Sequence, residues 1–102
     1  MSWHKITLDE VQVASGGIDI IKNYFETLFL DSLAPKEMAL FADKALLDST
    51  EKEIEVSLYI SPGSLTYASE LISTYSGTVC EKPTADTLEL LVGQSEAWDL
   101  LK

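Results

Sequence analysis

The sequence predicts a small α+β domain, a mixed or antiparallel sheet with helices packed on one face. Three observations carry this reading. Residues Glu53 to Ser61 alternate strictly between apolar and polar. Two other stretches repeat apolar residues at helical spacing. The length of 102 residues, 46% of them hydrophobic, suits one domain, residues 1–102, with a core of its own.

Taken in order, Ile6, Leu8, Val11 and Val13 alternate imperfectly around Asp9-Glu10, which predicts a strand that ends or bulges there. Ser15-Gly16-Gly17 breaks the pattern. Ile18, Ile21, Phe25, Leu28 and Phe29 then follow at helical spacing, with Asp19 placed to suit the helix dipole. Lys22, Asn23, Glu26 and Thr27 take the opposite face, and Ala34-Pro35 stops the helix near Ser32.

Pro35 can open a second helix, with Met38, Phe41, Ala42, Ala45 and Leu46 as its stripe. The competing reading makes residues 38–47 a strand paired with the next one across Asp48–Lys52. The helix is preferred, because the segment is rich in strong helix formers. In the strand from Glu53 to Ser61, Ile54, Val56, Leu58 and Ile60 face inward, and Glu53, Glu55, Ser57 and Tyr59 face outward.

Pro62-Gly63-Ser64 turns the chain, with Ser64 as helix N-cap. Leu65, Ala68, Leu71, Ile72 and Tyr75 form the next stripe, closed by Gly77. Thr78–Glu81 reads as a short strand. Thr87–Val92 reads as another, with Leu88, Leu90 and Val92 on one face. Ser95 caps a C-terminal helix that offers Trp98 and Leu101 for packing. A βαβ unit with a right-handed crossover is expected within residues 53–92. If residues 38–47 are a strand, the order becomes βαββαβ, a ferredoxin-like sandwich.

Charge excludes whole classes of function. Seventeen carboxylates stand against seven lysines, for a net charge of −10 and a pI near 4.2, and the chain contains no arginine. Nucleic-acid binding rests on neutralising phosphates with basic side chains, so direct binding is not expected. The same argument disfavours an anionic membrane surface. No apolar run reaches the roughly 18–20 residues of a membrane span. The N-terminus lacks the plan of a secretory signal, and Cys80 is the lone cysteine. A cytoplasmic protein is the expectation.

The sequence offers no catalytic constellation, and an enzyme is not expected. His4 and Cys80 form the one histidine–cysteine dyad the composition permits. No Cys/His cluster or EF-hand spacing calls for a metal, and no cofactor is expected. Glu53 and Glu55 share a strand face about 6.5–7 Å apart, which is also how a solvated strand looks.

Two surfaces remain. Glu51, Glu53, Glu55 and Tyr59 would make an acidic face with an aromatic, suited to lysines or arginines on a partner. Ser61, Gly63 and Ser64, at a strand-to-helix junction, would make an anion site. In size and charge the chain is similar to bacterial immunity proteins and nucleic-acid-mimicking inhibitors, a likeness of composition that covers no motif. The leading expectation is an acidic protein-binding module that neutralises or regulates a basic protein by covering its cationic groove. The alternative is a small-molecule-sensing or oligomeric regulatory domain that holds an anionic ligand at the Ser61–Ser64 turn. Trp3 and Trp98 are candidates for the domain's edge or for a homodimer anchor.

Overall fold

The computed structural model describes residues 2–30, 37–43, 56–75 and 77–102. The first strand, β1, runs Trp3–Leu8 and buries Ile6 and Leu8 completely. Its end is set by a reciprocal cap. The Asp9 carboxylate accepts from the Gln12 backbone N–H at 2.8 Å, and the Gln12 side-chain oxygen accepts from the Asp9 N–H at 2.9 Å. That capping box starts helix α1, Glu10–Ala14. Val11 and Val13 therefore belong to a helix, not to an extension of the strand, and Val11 is exposed. Asp9→Ala should lower stability by about 1 kcal/mol, read as a shift of the urea midpoint with unchanged slope.

Gly16, at φ +80°, takes the left-handed conformation that lets the chain turn from α1 into α2, Gly17–Phe29. The predicted stripe is the buried one. Ile21 and Phe25 are fully buried, with Ile18, Leu28 and Phe29 packed beside them. The predicted stop near Ser32 lies outside the described residues, as does Pro35.

The segment expected to be a second helix is instead a strand, β2, Leu40–Asp43. It pairs with β3, Val56–Ile60, on one side and with β5, Leu88–Val92, on the other. Met38 through Ala42 are all fully buried, so both faces of this segment are apolar. A run buried on both faces has no period of its own, and it fits a helical stripe as readily as a strand. Ala45 and Leu46 lie outside the described residues.

From β3 the chain passes through a 3-10 turn, Pro62–Ser64, into helix α3, Leu65–Thr74. Leu71 and Ile72 of the expected stripe are buried, and Tyr75 packs against the same core. The side chains of Leu65 and Ala68 are outside the described set. Ser64 occupies the N-cap position but makes no side-chain capping bond. Just past the helix, the Gly77 N–H donates to the Ile72 carbonyl at 2.7 Å. Strand β4, Thr78–Cys80, follows.

The five strands form one sheet in the order β4-β1-β3-β2-β5, every neighbouring pair antiparallel. The first four follow the βαββαβ alternative, and β5 extends the sheet beyond β2. Strands β3 and β4 run parallel, but β1 lies between them. The expected βαβ unit is thus split by the first strand.

The sheet has two cores, not one. Ile21 and Phe25 of α2 and Leu71 and Ile72 of α3 cover the face that carries Ile6, Leu8, Leu40, Leu58 and Ile60. On the other face Trp3, Phe41, Leu88, Ala97 and Leu101 cluster under the C-terminal segment Ser95–Leu101. That segment is the expected C-terminal helix, in 3-10 form, with Gln94 and not Ser95 as N-cap, while both α-helices of the core stand on the first face. A bulge in β5 joins the two cores. Leu40 pairs with Val92 and Phe41 with Leu90, leaving Leu91 as the extra residue. Leu88 and Leu90 therefore serve the second core while Val92 serves the first, although plain alternation puts all three together. Among the described residues, no helix is long and apolar enough to cross a membrane.

Candidate functional site

Of the predicted acidic face, Tyr59 is described, and Glu51, Glu53 and Glu55 lie outside the described residues. Tyr59 is half-buried against the second core. Its cross-strand neighbour Lys5 places Nζ 5.9 Å from the ring centroid, so the chain's own cation stands over the ring. This face is partly covered by aromatic packing, which the alternation of β3 alone could not show.

The Ser61–Ser64 turn is occupied from within. Both hydroxyls are fully buried. Ser61 Oγ donates to the Glu37 carbonyl at 2.7 Å and accepts from the Ala39 N–H at 2.9 Å. Ser64 Oγ lies 3.2 Å from the same N–H and 2.8 Å from Ser61 Oγ. A Cβ at Gly63 would stand 2.8 Å from the Cβ of Glu37, so only glycine allows this approach. Small residues here fasten the entry of β2 to the exit of β3. They meet the requirement that buried polar groups find partners.

His4 and Cys80 are not brought together. In the register Cys80 sits opposite Trp3 and Val79 opposite His4. Alternation then puts His4 on the helix-covered face and Cys80 on the other. His4 is buried, and its Nδ1 has no hydrogen-bond partner among the described residues. Burial pushes the Cys80 thiol above its ordinary pKa, and nearby Lys5 offsets part of that rise. Little of it is thiolate near neutral pH, which makes it a poor nucleophile. Among the described residues, no three His, Cys, Asp or Glu side chains gather as a metal would need.

The feature that sequence reasoning missed lies at the β5 edge of the sheet. A hollow of about 420 Å³ is lined by Ala85, Asp86, Leu88, Glu89 and Trp98. The 3-10 turn Ala85–Thr87 brings Asp86 to it, and the Thr87 hydroxyl steadies that turn by donating to the Thr84 carbonyl at 2.9 Å. Strand β5 contributes Leu88 and Glu89, and the C-terminal segment contributes Trp98. The indole is held from behind. Phe41 meets it edge-on at 5.4 Å between centroids, and Trp3 packs on Phe41 at 5.9 Å. Trp98 is visible in the sequence, but its place beside residues 85–89 is not, because that depends on the C-terminal segment folding back over the sheet. A second hollow, beside α1, is lined by Glu10, Val11, Ala14 and Ser15.

Electrostatically the surface is one-sided. Eleven of the twelve described carboxylate residues are exposed. Lys102 pairs with Asp99 at 2.9 Å, and Lys82 Nζ donates to the Lys102 carbonyl at 2.6 Å. The two exposed lysines among the described residues are thus both engaged at the C-terminus. Comparison with protein-family models, with curated proteins and with solved structures finds no match to this chain.

Proposed function

We propose that this chain is an acidic protein-binding module that neutralises or regulates a basic partner protein by covering a cationic groove, in the manner of an inhibitor. The observation that supports the reading is the exposure of nearly all the described carboxylates with so few internal cations to balance them. A field of that sign steers a positively charged protein into encounter and repels acidic ones. The expected surface of Glu51, Glu53 and Glu55 adds charge of the same sign to the chain.

The test is a tagged pull-down from the source lysate, washed first at low and then at high salt. The expected result is one basic protein held near one-to-one. It should be released as the screening length falls from about 8 Å at physiological ionic strength to about 3 Å at 1 M. Retention of no basic protein, or retention indifferent to salt, would sink the proposal.

A further inference from the structure

The two faces of the sheet are covered in different ways. Helices α2 and α3 cover the first, with Ile21, Phe25, Leu71 and Ile72 in one core. The second lies under the segment Ser95–Leu101, which packs on it through Ala97, Leu101 and Trp98. We infer that this segment is a strap that lifts off the sheet as a unit, hinged at Gly93, while the sheet and its helices stay folded. Lifting it uncovers Trp3, Phe41 and Leu88, so the domain alternates between a closed, charged surface and an open state with an aromatic face.

The strap is held by side chains. Among the described residues, no backbone hydrogen bond joins it to the sheet. The Ala97 N–H turns back to the Gln94 carbonyl at 2.8 Å and the Lys102 N–H to the Asp99 carbonyl at 3.3 Å, both within the strap's own run. Its seven residues of 3-10 helix are a long run for that geometry, whose bonds are poor and which seldom exceeds about 3–4 residues. No side chain caps its first turn, and Gln94, Ser95 and Glu96 are exposed. Trp98 is only half-buried and borders the open hollow beside residues 85–89. At the far end, Lys82 Nζ on the Lys102 carbonyl at 2.6 Å makes a polar clasp.

The hinge and the unit are both defined. Gly93, at φ +145°, joins the strap to β5 in a backbone region that favours glycine, and without a Cβ it turns freely. In the closed state the same lack brings the strap close. A Cβ at Gly93 would stand 3.2 Å from the Cβ of Ala39 and 3.4 Å from that of Ala97. Ala97, Trp98 and Leu101 sit on one short rod, so the loss of one contact loosens the others. The first core contains no residue of the strap, and it stays complete when the strap lifts.

The experiment is native-state hydrogen exchange of the whole chain, followed by NMR across urea concentrations below the unfolding transition. The amides of residues 97–101 are expected to share one opening, roughly a hundredfold or more easier than that of the β3 amides and with a weaker urea dependence. The Trp3 indole N–H, 5% exposed and beneath the second core, should exchange with the strap and not with β3. Ile21→Val, a mild change in the first core, raises the closed and the strap-open states alike. It should speed β3 exchange several-fold and leave the strap unchanged.

Equal acceleration of the strap and β3 in Ile21→Val would show that the strap opens only when the whole fold does. Protection that falls steadily from residue 97 to residue 101 would show fraying in place of a unit. A Trp3 indole that exchanges with β3 would show that the aromatic face stays covered. Each of these results overturns the inference.

Discussion

Phe41→Ala is expected to destabilise the fold by about 3–5 kcal/mol, the usual range for truncating a fully buried phenylalanine. Phe41 is completely buried in the middle of β2, with Trp3 on one side and Trp98 on the other. Its removal takes away two aromatic pairs and opens a cavity between the sheet and the C-terminal segment. A domain of this size has a total stability of about 5–15 kcal/mol, so the loss is a large share of it. Urea unfolding followed by far-UV circular dichroism measures it directly. Tryptophan emission adds a local readout, because Trp98 loses its support before the sheet unfolds. A loss below about 1 kcal/mol would mean that the second core does not depend on this ring.

The second large effect concerns the buried serines. Ser61 and Ser64 both reach the Ala39 N–H, at 2.9 and 3.2 Å. At the Ala39 N–H either hydroxyl can stand in for the other, so Ser64→Ala should cost roughly 1 kcal/mol, and Ser61→Ala somewhat more because its Oγ also donates to the Glu37 carbonyl. The double variant leaves a buried N–H with no side-chain acceptor and should cost about 2–4 kcal/mol. The expected coupling is therefore more than additive, and a double-mutant cycle by denaturant titration reads it out. Strictly additive or negligible losses would show that the turn is not what holds β2 in place.

The parts of the fold that proved legible are those with a single buried face. Helix α2 shows its stripe of Ile21 and Phe25 plainly because the opposite side is solvated. Strand β3 alternates because one of its faces carries the first core, with Val56, Leu58 and Ile60 buried. The start of α1 was not read: the apparent alternation of Val11 and Val13 suggested a strand, whereas Asp9 and Gln12, three residues apart, form a capping box that starts a helix. Local hydrogen bonding decided that boundary.

The candidate sites were much less legible. Ser61, Gly63 and Ser64 look the same in sequence whether they hold an anion or hold Glu37 and Ala39. Tyr59 looks exposed until the C-terminal segment is placed beside it. The hollow at Asp86, Glu89 and Trp98 has no local signature at all.

The sequence by itself determined the α+β class, the buried stripe of α2, the alternation of β3 and the strongly acidic balance of the chain. Each of these is a property of neighbouring residues or of composition, and needs no partner element to exist. Only the tertiary structure decided that Leu40–Asp43 is a central strand, that Leu91 bulges, and that the sheet buries both of its faces. A segment apolar on every side carries no period. Its conformation is set by the strands that supply its hydrogen bonds, and for β2 those strands lie elsewhere in the chain, in β3 and β5.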